Sequence, residues 1–195
     1  MNNKGETTMK AINVISGKGG VGCTATASVI ALSLAERGHR VLITGTEDVA
    51  SILGAPSISD EVRVAPFIKG ELFYSRVEQG DYEFVVRDIG KGELPSDGLP
   101  VICYANDYMA LKNILPILEN LRSTEREFRL VGIIQKDRAL NEDDCASVVR
   151  DDETFWINHD PSISRAHDAG LLATRFPHLY NGLADFISTT SQEVV

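Results

Sequence analysis

The chain of 195 residues carries only three cysteines, Cys23, Cys103 and Cys145. An odd and widely spaced set excludes a disulfide framework and points to a reducing compartment. Basic residues are also scarce. Lys and Arg number 19 against 28 Asp and Glu, a net charge of −9, so the chain lacks the electrostatic footprint of a nonspecific DNA binder. Any role with DNA is expected to be indirect. No run approaches the roughly 18 apolar residues of a membrane span, and the opening MNNKGETTMK has no apolar stretch of signal-peptide length. These absences lead us to expect a cytoplasmic location and no integral membrane contact. The four histidines, His39, His159, His167 and His178, lack ligand spacing and read as surface or packing residues.

What is present is apolar content, 43% of the chain. A chain of this size buries about 70% of the surface its unfolded form exposes, enough for one core without staples. We expect a single domain over residues 10–190, with a flexible tail at 1–9 and another at 191–195.

Short apolar runs alternate with longer helical patterns. Strands are predicted at 11–15, 40–44, 62–65, 82–88, 99–104, 129–134 and 154–157, and helices at 24–37, 107–122, 142–150, 163–169 and 179–188. Gly38 is a helix stop, and the tight return to a strand at Arg40 implies a right-handed crossover between parallel strands. Most strands read as continuous apolar runs, the pattern of sheets buried on both faces. The fold class is therefore α/β, a mainly parallel sheet with helices on both faces. Glu142, Asp143 and Asp144 fall in the first turn of a predicted helix, where negative charge suits the dipole.

Between the first strand and the first helix lies Ser16–Thr24, SGKGGVGCT. Glycines there let backbone N–H groups converge, and the helix N-terminus favours an anion. The spacing Gly, four residues, Gly, Lys, Ser or Thr is matched at Gly17, Gly22 and Thr24, but Cys23 stands at the lysine position. A thiol at a helix N-terminus beside Lys18 is expected to be acidified, which makes it reactive or redox-sensing. The reading we prefer is the plainer one, a small residue that drifted into a vacated lysine position. A phosphatase loop would need an arginine where Val29 stands.

Lys18-Gly19-Gly20-Val21-Gly22 followed by Thr24 resembles the deviant Walker A loop of the ParA/MinD ATPases, which belong to the SIMIBI class of P-loop NTPases. Tyr82–Gly90, Val101–Leu111, Val131–Asp137 and Ile157–Gly170 are similar to later segments of that family. The resemblance implies a three-layer P-loop NTPase fold and binding of ATP or ADP with magnesium. It assigns nucleotide contact to Gly17, Lys18, Gly19, Gly20, Val21, Gly22, Cys23, Thr24 and Gln135, with Thr24 and Asp88 on the magnesium side. It also implies a homodimer in which Lys18 reaches the partner's phosphates, and a protein partner in partitioning or positioning DNA or a cellular complex.

This chain departs from the family at four places. Cys23 replaces the loop lysine, Gly45 the aspartate after the second strand, Gln135 the base-reading asparagine, and Asn158 a proline. A lysine on phosphate supplies charge-assisted bonds of roughly 1.5–3 kcal/mol, and glycine cannot polarise water. The residues read as a degenerate member that binds ATP and magnesium weakly with little or no hydrolysis. Two alternatives stay open: a partner-stimulated ATPase in which Glu47 or Asp48 replaces the lost acid, and a nucleotide-free scaffold. Leu179, Leu183, Phe186 and Ile187 share one helical face without basic neighbours, so this helix is expected to pack inward instead of lying on a membrane.

Overall fold

The continuous apolar runs become strands buried on both faces. In the computed structural model, residues 9–54, 61–64, 69–136, 138–150, 153–158, 160–175 and 181–188 are described. In chain order the elements are β1 (Lys10–Ser16), α1 (Cys23–Glu36), β2 (Arg40–Thr44), α2 (Glu47–Ile52), β3 (Glu61–Val64), β4 (Glu71–Ser75), β5 (Phe84–Gly90), β6 (Leu99–Ala105) and α3 (Tyr108–Ser123). They continue with β7 (Arg129–Ile133), α4 (Glu142–Val149), β8 (Phe155–Ile157), α5 (Pro161–Asp168), α6 (Leu172–Arg175) and α7 (Asn181–Ser188). One eight-stranded sheet has the order β3-β4-β2-β5-β1-β6-β7-β8. Its pairings are parallel except β3 with β4.

β6 shows how the sheet divides two cores. Val101, Cys103 and Ala105 face the cluster that contains α1, α2 and α7, while Ile102 and Tyr104 face the one built with α3 and α4. The period of two along a strand sends neighbours to opposite faces. α1 is buried nearly all round, from Thr26 to Ala35 without a break. Its small Ala, Ser and Thr residues permit that close approach. α3 instead buries one stripe, Ala110, Leu111, Ile114, Leu118 and Leu121, at helical spacing.

Several expectations are corrected. β4 was not foreseen, because ELFYS is short and carries no β-branched residue. It lies between β2 and β3, and it makes β3 antiparallel to its neighbour. The short helices α2 and α6 also escaped the periodicity. β5 starts and ends two residues later than predicted, so Asp88 pairs with Val14 inside the strand instead of closing it. Ala65, His159, His178, Leu179 and the tails at 1–8 and 191–195 lie outside the described residues.

The acidic cluster does open α4, where Asn141 and Asp144 form a reciprocal capping box. α7 turns Leu183 and Ile187 inward against α1, and Arg37 Nη2 meets Asp185 at 2.8 Å. Among the described residues no helix is long and apolar enough to cross a membrane.

Close packing at β7 can be tested. A Cβ on Gly132 would overlap the Trp156 ring of β8. Gly132→Ala is expected to destabilise the protein by about 1–3 kcal/mol, read as a lower urea midpoint.

Candidate functional site

The loop between β1 and α1 is shaped by contacts that exclude side chains. A Cβ on Gly17 would come within 2.7 Å of the Asn113 backbone, and Asn113 Nδ2 donates to Gly17 O at 3.1 Å. Gly22, the residue before α1, has φ 92°, a left-handed conformation that favours glycine. It offers no side chain to cap the helix, so first-turn N–H groups are left for an outside acceptor. Gly20, with φ 75°, and Gly19 are open to solvent, whereas Val21 is buried and anchors the loop. Ser16 Oγ lies 3.0 Å from Lys18 O and 3.3 Å from Gly90 O, and so ties the loop to the end of β5.

Lys18 does not project freely. Its Nζ lies 3.1 and 2.9 Å from the two carboxylate oxygens of Asp107, the N-cap of α3. Asp107 also accepts the Ala110 N–H at 2.9 Å. Burial pushes its carboxyl up, but Lys18 and the Ala110 N–H outweigh that and hold it below the usual carboxylate range.

Cys23 excludes the reading of an acidified thiol and leaves the plainer one. Its side chain turns into the core, where Sγ donates to Val14 O at 3.4 Å. The Cys103 side chain and burial, with the Asp88 charge behind them, drive the thiol pKa upward. These effects overwhelm the helix dipole, and the group is a neutral thiol.

Asp88 sits beside it. Burial raises its pKa against the Thr24 hydroxyl and the Cys23 thiol beside it, and the Asp48 charge adds to the rise. Its Oδ1 is buried with no hydrogen-bond partner among the described residues. An orphaned carboxylate oxygen beside a threonine hydroxyl is an oxygen donor set of the kind magnesium takes. Gly45 has φ 152°, and a Cβ there would lie 2.9 Å from Asp88 Cβ and 3.0 Å from Val49 Cγ2. An aspartate could not occupy this position without displacing Asp88. Asp48 is exposed at the start of α2.

Gln135 follows β7 at the rim of a cleft of about 530 Å³, which opens between Gly20, Gly22, Thr26, Arg138 and Asn158. That volume suits a small organic ligand. Arg138 Nε donates to Gln135 Oε1 at 2.9 Å. The buried Asn106 holds this loop, accepting the Gln135 N–H at 2.8 Å and donating to Leu140 O at 2.9 Å. The structure thus brings the glycine loop, Thr24, Asp88 and Gln135 to one end of the sheet. Sequence reasoning missed Asn106, Asp107 and Asn113. The one available signal was a pair of polar residues directly after the buried run of β6.

Residues 9–66 match the family of anion-transporting ATPases. No curated protein matches the chain. Among solved structures, the cell division ATPase MinD of Pyrococcus furiosus superposes with a TM-score of 0.73 at 16% identity, covering 92% of this chain and 98% of that one. The septum site-determining protein MinD of Pyrococcus horikoshii, complexed with Mg-ADP, gives 0.70 at 16%, covering 91% and 93%. A plasmid partition protein of Borrelia burgdorferi bound to AMPPNP gives 0.66 at 14%, covering 92% and 98%. The chain has the MinD/ParA P-loop fold. In MinD-like terms, the glycine loop lies where the first strand of that fold meets its first helix, and the cleft lies beside it.

The Lys18–Asp107 pair predicts a pH effect. Because the folded pKa of Asp107 is lowered, its contribution is complete above the ordinary carboxylate value of about 3.9 and is lost as pH falls through the lower one. Asp107→Asn keeps a good N-cap but removes the charge. Urea midpoints are expected to fall less steeply between about pH 5 and about pH 2 for the variant than for the wild type.

Proposed function

We propose that this chain binds ATP or ADP with magnesium weakly, turns ATP over little or not at all, and works as a dimerising or partner-docking module. The partitioning or positioning of DNA or a cellular complex is the setting that the resemblance supplies. The observation that carries this reading is the contrast inside one site. The uncapped α1 terminus, Thr24 and the unpartnered Asp88 oxygen favour Mg-phosphate. In the same site, position 23 is a neutral buried thiol and position 45 has no room for an acid.

Thr24 and Asp88 would hold the metal side, the loop from Gly17 to Gly22 and the α1 terminus the phosphates, and Gln135 the base. Magnesium, when bound, offsets phosphate charge that Cys23 cannot. The rest falls to the chain itself. Backbone N–H groups orient the phosphates, buried Val21 keeps the loop in place, and Asn106 keeps the Gln135 loop against the cleft. Lys18 belongs to the dimer reading: a second copy's phosphates would compete with Asp107 for its ammonium. A second reading, the partner-stimulated ATPase, draws support from Asp48, whose charge reaches Asp88.

Calorimetry of the purified chain with ATP tests this. We expect saturable heat that depends on magnesium, and loss of the magnesium dependence in Asp88→Asn. No heat with any nucleotide would leave the scaffold reading. Brisk hydrolysis, alone or with a partner, would favour the ATPase. Cys23→Lys is expected to tighten ATP binding by about tenfold, the size of one charge-assisted contact, measured by the same titration.

A further inference from the structure

A second lysine comes near the glycine loop from the far end of β5. β5 and β1 run in parallel register up to Val14 opposite Asp88, then slip, so that Ile15 pairs with Gly90 and Ile89 is left over. A slip of this kind bends the strand and re-aims the residues beyond it. Gly90 adopts φ 61°, and the Gly92 N–H closes back on Ile89 O at 3.0 Å, which makes a tight turn with Lys91 near its tip. Ser16 Oγ, 3.3 Å from Gly90 O, fastens this turn to the glycine loop. The end of the Lys91 side chain therefore comes near Gly19: a Cβ there would be 3.9 Å from Lys91 Cε. The absence of a side chain at Gly19 leaves that space open.

Two lysines thus flank Gly19, and they differ. Lys18 is held by Asp107. Lys91 is exposed, and no hydrogen bond or ion pair engages it among the described residues. Its ammonium is one bond beyond Cε, the carbon that borders the space left open at Gly19.

We infer that Lys91 binds the terminal phosphates of a nucleoside triphosphate held in the glycine loop, supplying from the β5 turn the charge that the loop itself lacks at Cys23. This rests on the nucleotide reading above and adds to it the cation that makes such binding workable. A lysine is suited to the task as a compact point charge on a flexible stem. Reach from a neighbouring turn also accounts for a neutral residue being tolerated at position 23.

The test is titration of the full chain with ATP and magnesium. Lys91→Ala and Lys91→Gln are expected to weaken ATP binding about tenfold or more, while Lys91→Arg stays within about threefold because the charge is kept. Thermal midpoints of the nucleotide-free variants should match the wild type, since the side chain is exposed. Binding by Lys91→Ala and Lys91→Gln equal to that of wild type overturns the inference and leaves the proposed function standing. Equal losses in all three variants also overturn it, since charge would then not be what matters. A wild-type chain that binds no ATP removes both.

Discussion

The site depends on where α1 begins. The helix is packed on almost every side, against the sheet beneath it and α7 outside it, so its first turn cannot shift without opening the larger core. Gly22 delivers the chain to that fixed point in a left-handed conformation and leaves the end uncapped. Unsatisfied N–H groups at a helix start that borders a cleft are a standing demand for an acceptor. The loop, the Asp88 carboxylate and the cleft all border this point.

Charge is distributed around that end in an unusual way. Position 23, where a P-loop places its lysine, holds a thiol that points down into the core between Val14 and Cys103. Acidic groups are close by, Asp88 and Asp48, and burial with the Asp48 charge raises the pKa of the Asp88 carboxyl. Lys18 is balanced by Asp107. At the start of α1 the side chains themselves thus bring acidic groups and a thiol, and the nearest loop lysine is already paired. Gly45 reinforces the point, since the packing of Asp88 and Val49 fills the place where a second acid would stand.

Much of the architecture was readable because burial leaves a mark on composition. VLIT, VICY and LVGI are apolar on consecutive residues, which only a strand covered on both faces tolerates. The acidic first turn of α4 was visible, while the part of Asn141 in capping it was not. What stayed hidden was short or conditional. The β4 segment reads as a strand only once β2 is beside it, and α2 is too brief to show a period. The two-residue offset of β5 came from pairing with β1, which no local preference encodes.

The same division holds for the site. The glycine spacing and the loss of the loop lysine were legible in the chain, because backbone conformations open mainly to glycine must be written into the sequence; Thr24 and Asp88 were picked out for the metal side by resemblance alone. The protonation of Cys23, the capture of Lys18 by Asp107, the placement of Lys91 over Gly19 and the lack of room at Gly45 were decided only by tertiary structure. Each joins residues from different strands or helices, and the field and free space around a side chain are set by what the fold places against it.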